Sequence, residues 1–140
     1  MMSATTKRFR RFAVWFAVSL AALSLTLWAQ EGHPLVGSWH GTWGPNAKDR
    51  SDVTVIFNWD GTNITGIVNP GLDAMKFQNA SLDPGSWTVH FETEGKDRSG
   101  SKVHIAVEGK IQDITNVRRS IVGAWTQGSV KGDFKITRDN

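Results

Sequence analysis

Between residues 37 and 43 large apolar and polar positions alternate. Gly37, Trp39, Gly41 and Trp43 share one face, and Ser38, His40 and Thr42 share the other. A period of two is the mark of a half-buried strand. Two indoles and two glycines on the buried face predict a tightly curved sheet, because glycine admits a sharp bend or a close approach and tryptophan fills the space enclosed.

The same period returns at short intervals. Positions 51–59 set Val53, Val55, Phe57 and Trp59 against Asp52, Thr54 and Asn58. Asp60-Gly61 follows, a pair suited to a two-residue type I′ turn. Such a turn pairs Phe57 with Ile64, Val55 with Gly66 and Val53 with Val68, all on one face. Pro70-Gly71 ends the third strand, and 74–82 is a strand with poor alternation, since Met75, Lys76 and Phe77 run together. Asp83-Pro84-Gly85-Ser86 has the form of a type II turn. A fifth strand, 86–94, buries Trp87, Val89 and Phe91, and a sixth, 102–111, buries Val103, Ile105 and Val107. Strands at 120–126 and 130–138 flank Gln127-Gly128, and a two-residue loop there pairs Trp125 with Val130, Gly123 with Gly132 and Ile121 with Phe134.

Eight short antiparallel strands with little room for a helix predict an all-β fold, either an eight-stranded up-and-down barrel or a tightly rolled sandwich, of which the barrel is preferred. Inward glycines at 37, 41, 66, 109, 123 and 132 supply the corners that closing a small barrel needs.

Residues 1–29 precede this pattern and differ from it. A basic stretch, Lys7-Arg8-Phe9-Arg10-Arg11, leads into an apolar run from Phe12 to about Leu27, and Ala29 then precedes polar Gln30-Glu31-Gly32. This is the layout of a secretion signal cleaved after Ala29. The alternative is an uncleaved N-terminal anchor. The expected organisation is a signal at 1–29, a single barrel domain at 30–140 and export to the periplasm or cell exterior, with no stable membrane insertion once the signal is cleaved.

Charge follows the same division. The formal charge is +3, but four of the 16 basic residues lie in the first 29 positions, where there are no acidic ones. From Gln30 onward 12 basic residues face 13 acidic ones, a balance of −1. A near-neutral domain gives no electrostatic basis for nucleic-acid binding. The absence of cysteine excludes disulfides, thiolate metal sites and a cysteine nucleophile.

At the two ends of this pattern the chain resembles a known family. Gly37-Ser38-Trp39 in the first of eight strands, with Arg138 on the inward parity of the last, is similar to the opening and closing residues of lipocalins and avidins, the calycin barrels. The resemblance implies that Trp39 packs at the closed end of the barrel against Arg138. The match is one of motif and topology. The chain is shorter than a lipocalin, carries no helix after the barrel and shows no inward polar set of the kind avidins use for their ligand, so neither family's ligand carries over.

The candidate chemistry is mostly aromatic. Trp43, Phe57, Trp59, Trp87, Phe91 and Trp125 are the expected lining of a barrel interior able to hold a small hydrophobic ligand. The competing reading is that the rings fill the barrel as a solid core. All four histidines lie off the inward face. Pairing Glu92 with Lys102 would set His90 opposite His104, two exposed ligands with no third, so no metal site and no cofactor are expected. Inward positions offer no acid–base constellation, and Asp60, Asp83 and Asp97 belong to turns. The expectation is a non-catalytic ligand-binding barrel. The alternatives are a solid barrel that binds a protein or envelope polymer through loop 113–119, or a hydrolase or isomerase built from loops.

Overall fold

In the computed structural model residues 32–139 are described, Arg98 excepted. The expected secretion signal lies outside the described residues. Eight strands form in chain order: β1 (Gly37–Gly44), β2 (Ser51–Trp59), β3 (Ile64–Val68), β4 (Met75–Asp83), β5 (Thr88–Lys96), β6 (Lys102–Gln112), β7 (Ser120–Gln127) and β8 (Val130–Arg138). Each pairs antiparallel with its neighbour, and β8 pairs with β1, so the sheet is a closed up-and-down barrel. The shortest ladder joins β3 to β4, through Ile67 with Lys76 and Val68 with Met75. Trp39 lies opposite Val55 on one side and Arg138 on the other.

The inward positions make one core. Trp39 and Phe57 are completely buried, and Val55, Val89, Ile105, Ile121 and Ile136 are nearly so. Phe57 meets Trp39 edge-on at 6.1 Å between ring centroids and Phe91 at 5.8 Å, while Phe77 stacks on Phe91 at 4.4 Å. Thr93 is the buried polar residue of this core, and its Oγ1 donates to the Lys76 carbonyl at 2.8 Å. That bond removes the cost of an unpaired hydroxyl in an apolar interior.

Three hairpins differ in register from the sequence expectation, two of them by two residues. Trp59 pairs with Ile64, so Phe57 faces Gly66 and Val55 faces Val68. The loop holds four residues rather than two, because the Asp60 carboxylate accepts from the amides of Thr62 and Asn63 and the Asp60 amide donates to the Asn63 carbonyl. At the far hairpin the loop is Gly128-Ser129, with Gln127 opposite Val130, Trp125 opposite Gly132 and Ile121 opposite Ile136. Gly128 takes the positive φ of 61° that a tight hairpin demands at its first loop position. A shift of two keeps every side chain on its face, which is why the apolar pattern alone did not distinguish the registers. Between β5 and β6, Glu92 faces Ala106 and His90 faces Glu108, so the expected His90–His104 pair does not form. The Asp97 carboxylate sets this longer loop by accepting from the amides of Ser99 and Ser101.

The turn at 83–86 is also different. Its left-handed residue is Trp87, with φ 54°, instead of Gly85. The Asp83 carboxylate takes the Gly85 amide and the Ser86 hydroxyl, and β5 starts only at Thr88. A left-handed non-glycine residue costs about 1–2 kcal/mol. The Trp87 carbonyl accepts from the Ile111 amide at 3.0 Å, which ties the turn to the end of β6.

The weak fourth strand has a local cause. Its register with β5 shifts between Phe77 and Asn79. Met75 and Phe77 are partly buried before the irregularity, Ala80 and Leu82 after it, so the inward parity changes from odd to even. A bulge inserts one residue and has this effect.

Candidate functional site at the open end of the barrel

The two ends of the barrel are unlike. At one end β1 finishes at Gly44, β4 begins at Met75, β5 ends at Lys96 and β6 begins at Lys102, and the loops between strands stand around an open mouth. A depression of about 750 Å³ occupies it, bordered among others by Leu72, Val103, Glu94, Lys96, Lys102 and Gln127. Trp43, Met75 and Ile105 form its inner limit and also line a deeper, wholly apolar cavity of about 20 Å³ with Phe91, Trp125 and Phe134. The deeper space has room for about one water molecule. The barrel is therefore solid below the mouth.

Trp43 and Trp125 meet at this level with centroids 5.5 Å apart and planes inclined at 54°. The Trp125 indole N–H donates to the Asp133 carbonyl, which fixes the ring. It can lie there because Gly132 is opposite: a β-carbon at Gly132 would stand 2.4 Å from the ring. Met75 is the flexible member of the floor, an unbranched side chain able to change shape with little strain. Leu72, on the loop between β3 and β4, is fully exposed at the rim.

Charge at the rim is mixed. Lys96 and Lys102 are direct cross-strand partners, and Glu94 faces His104. The Asp97 carboxyl is held below the usual carboxylate range by the Ser99 hydroxyl first and then by the Ser101 amide. Arg50 crosses the opposite side of the mouth, donating to the Thr42 carbonyl at 3.1 Å and pairing with Asp133. This clamps the β1–β2 loop to β8.

Of the six candidate lining residues, the structure brings Trp43, Phe91 and Trp125 together around the inner cavity. Phe57 lies outside that lining, fully buried between Trp39, Phe77 and Phe91. Trp59, at the end of β2, and Trp87, just before β5, are half-buried at the other end of the barrel. Met75 and Phe77 were missed as inward residues. Their signal was present as two half-patterns of opposite parity, 75–77 and 80–82, which a bulge joins.

The other end is closed. Leu35 is fully buried and its carbonyl accepts the Trp39 indole N–H at 2.8 Å. The Arg138 side chain leans over Gly37, its Nε 3.0 Å from where a β-carbon on that glycine would be. Arg119 donates from Nη1 to the Pro34 carbonyl and from Nε to the Asn116 carbonyl. On the outer wall Glu92 accepts from Asn79 at 2.5 Å and lies 3.0 Å from the His104 ring nitrogen. Its carboxyl is pushed below the ordinary range by the Asn79 bond first and His104 second. Among the described residues no three histidine or carboxylate groups converge as a metal would require.

Compared with protein families, curated proteins and solved structures, the chain returns no match. The barrel's strand number, order and closure are compatible with a calycin-like fold.

Proposed function

We propose that this protein is an exported, non-catalytic barrel of calycin kinship that binds a small hydrophobic molecule at its mouth. The observation that carries the reading is the floor of the mouth. Trp43, Met75 and Ile105 present apolar surface to a depression of about 750 Å³, a size within the usual range for small-molecule sites. The deeper cavity holds only about 20 Å³, so the ligand sits above the Trp43–Trp125 pair rather than along the barrel axis. The candidate residues at the closed end, Trp59 and Trp87, have no part in this site.

The apolar surface of Trp43, Met75 and Ile105 on the inner floor favours a ligand whose buried part is hydrocarbon or ring. Its polar part would remain at the rim among Glu94, Lys96 and Gln127. Kinship with lipocalins and avidins draws support from closure of β8 on β1 at Trp39 and Arg138. Export draws support from the basic-then-apolar order of residues 7–27. A second reading, a solid barrel that binds a protein or polymer through its loops, is favoured by the small enclosed volume.

Titration of tryptophan fluorescence with a panel of fatty acids, isoprenoids and pigments tests the proposal. Trp43 reports directly on the mouth. A saturable change at micromolar ligand, abolished by Val103→Lys in a folded variant, is the expected result. No saturable response across the panel rejects the ligand reading in favour of the solid barrel.

A further inference from the structure

The closed end of the barrel carries a feature that the ligand-binding reading does not use. Continuing the β7–β8 ladder past Ser120 and Thr137 brings Arg119 opposite Arg138, and the Arg138 amide donates to the Arg119 carbonyl at 2.8 Å. Like charges directly opposite each other across a ladder destabilise it. Both side chains are partly buried. Burial, and second the nearby Arg138, push the Arg119 guanidinium pKa down.

Among the described residues no carboxylate is paired with either guanidinium: Asp139 is held 2.6 Å from His40, Asp133 is taken by Arg50, and Glu92 serves His90 and His104. Two Arg119 donors are used, on the carbonyls of Pro34 and Asn116. The Arg138 guanidinium donates to no described residue. A guanidinium carries five N–H donors, so most of this donor capacity is unused among the described residues.

We propose that Arg119 and Arg138 form a binding site for a phosphate group on the closed end of the barrel. A single guanidinium fork satisfies both oxygens of a carboxylate, whereas a phosphate has a third oxygen and a second charge to offer the other fork. Backbone pairing fixes the two positions: the Arg138 amide bonds to the Arg119 carbonyl, and Arg138 is the register partner of buried Trp39. Two sources supply this chemistry, free phosphate and the phosphate of a lipid headgroup. The neighbouring loop suits either, since Arg118 adjoins Arg119 and Val117 is 66% exposed beside them. The site is independent of the mouth, and its test does not depend on a hydrophobic ligand being found.

The test uses the full chain and its Arg119→Gln and Arg119→Lys variants. Arg119 is chosen because Arg138 is also the register partner of Trp39, where a substitution would disturb closure. One arm titrates inorganic phosphate calorimetrically at constant ionic strength in chloride. The other measures sedimentation with phosphatidylcholine vesicles with and without phosphatidylglycerol. All three proteins carry the same N-terminal segment, so differences between them report on the arginine. Saturable phosphate binding, weakened roughly tenfold or more in Arg119→Gln as loss of a charge-assisted bond requires, supports the site with free phosphate as its source. Arg119→Lys, which keeps the charge and loses the fork, should fall between. Arginine-dependent vesicle binding without binding of free phosphate supports the site with lipid phosphate as its source. If wild-type protein binds neither, or binds equally well with Arg119→Gln, the proposal is overturned.

Discussion

Replacing Trp39 with alanine is the sharpest test of how this barrel is held together. The residue is fully buried, lies between Val55 and Arg138 in the ladders, meets Phe57 edge-on and donates its indole N–H to the Leu35 carbonyl. Truncation therefore removes a large ring from the floor, leaves a cavity and takes away the indole hydrogen bond. Buried Trp→Ala changes cost about 3–5 kcal/mol, and loss of the indole hydrogen bond adds about 1 kcal/mol. For a domain of this size each kcal/mol lowers Tm by about 4–6 °C, so a fall of about 15–35 °C is expected. Urea unfolding followed by far-ultraviolet circular dichroism reads the change without relying on the remaining tryptophans. Trp39→Phe separates the contributions. It keeps much of the ring and loses the N–H, and should cost about 1–3 kcal/mol. If Trp39→Ala lowers stability by less than about 1.5 kcal/mol, the closed end is not a packed floor and the reasoning fails.

Two further outcomes follow from the geometry. Gly132→Ala puts a β-carbon 2.4 Å from the Trp125 ring and 2.3 Å from the Gly44 carbonyl, so it should destabilise by about 1–3 kcal/mol and shift Trp125 emission; unchanged stability and spectrum would show that the ring does not rest on Gly132. The lowered carboxyl pKa of Glu92 means that the folded state binds its proton less readily than the unfolded chain. Its contribution is thus present above the ordinary carboxylate range and lost as pH falls through the folded-state value, so a stability difference from Glu92→Gln at neutral pH should vanish in acid. A difference that grows on acidification would reverse the sign and refute this.

What the sequence determined by itself was the part of the fold that depends on short-range pattern. Period-two alternation at 37–43, 51–59 and 130–138 marked strands and assigned their faces, because successive side chains on a strand must point to opposite sides. Turn residues between them gave the count of eight, and eight strands with inward glycines gave a closed barrel. Tertiary structure decided what alternation leaves degenerate. Registers at two hairpins moved by two residues, a shift that keeps every face and is chosen by the hydrogen bonds of Asp60 and by the backbone of Gly128. The bulge between Phe77 and Asn79 turned an apparently irregular segment into a strand with two inward parities and brought Met75 to the mouth. The division of the aromatic residues between a lined mouth and a sealed floor was also decided there. It depends on which strand ends lie together, and so on closure of β8 on β1. The two-residue shift of the β7–β8 hairpin also set Arg119 opposite Arg138, a pairing that the apolar pattern alone did not distinguish.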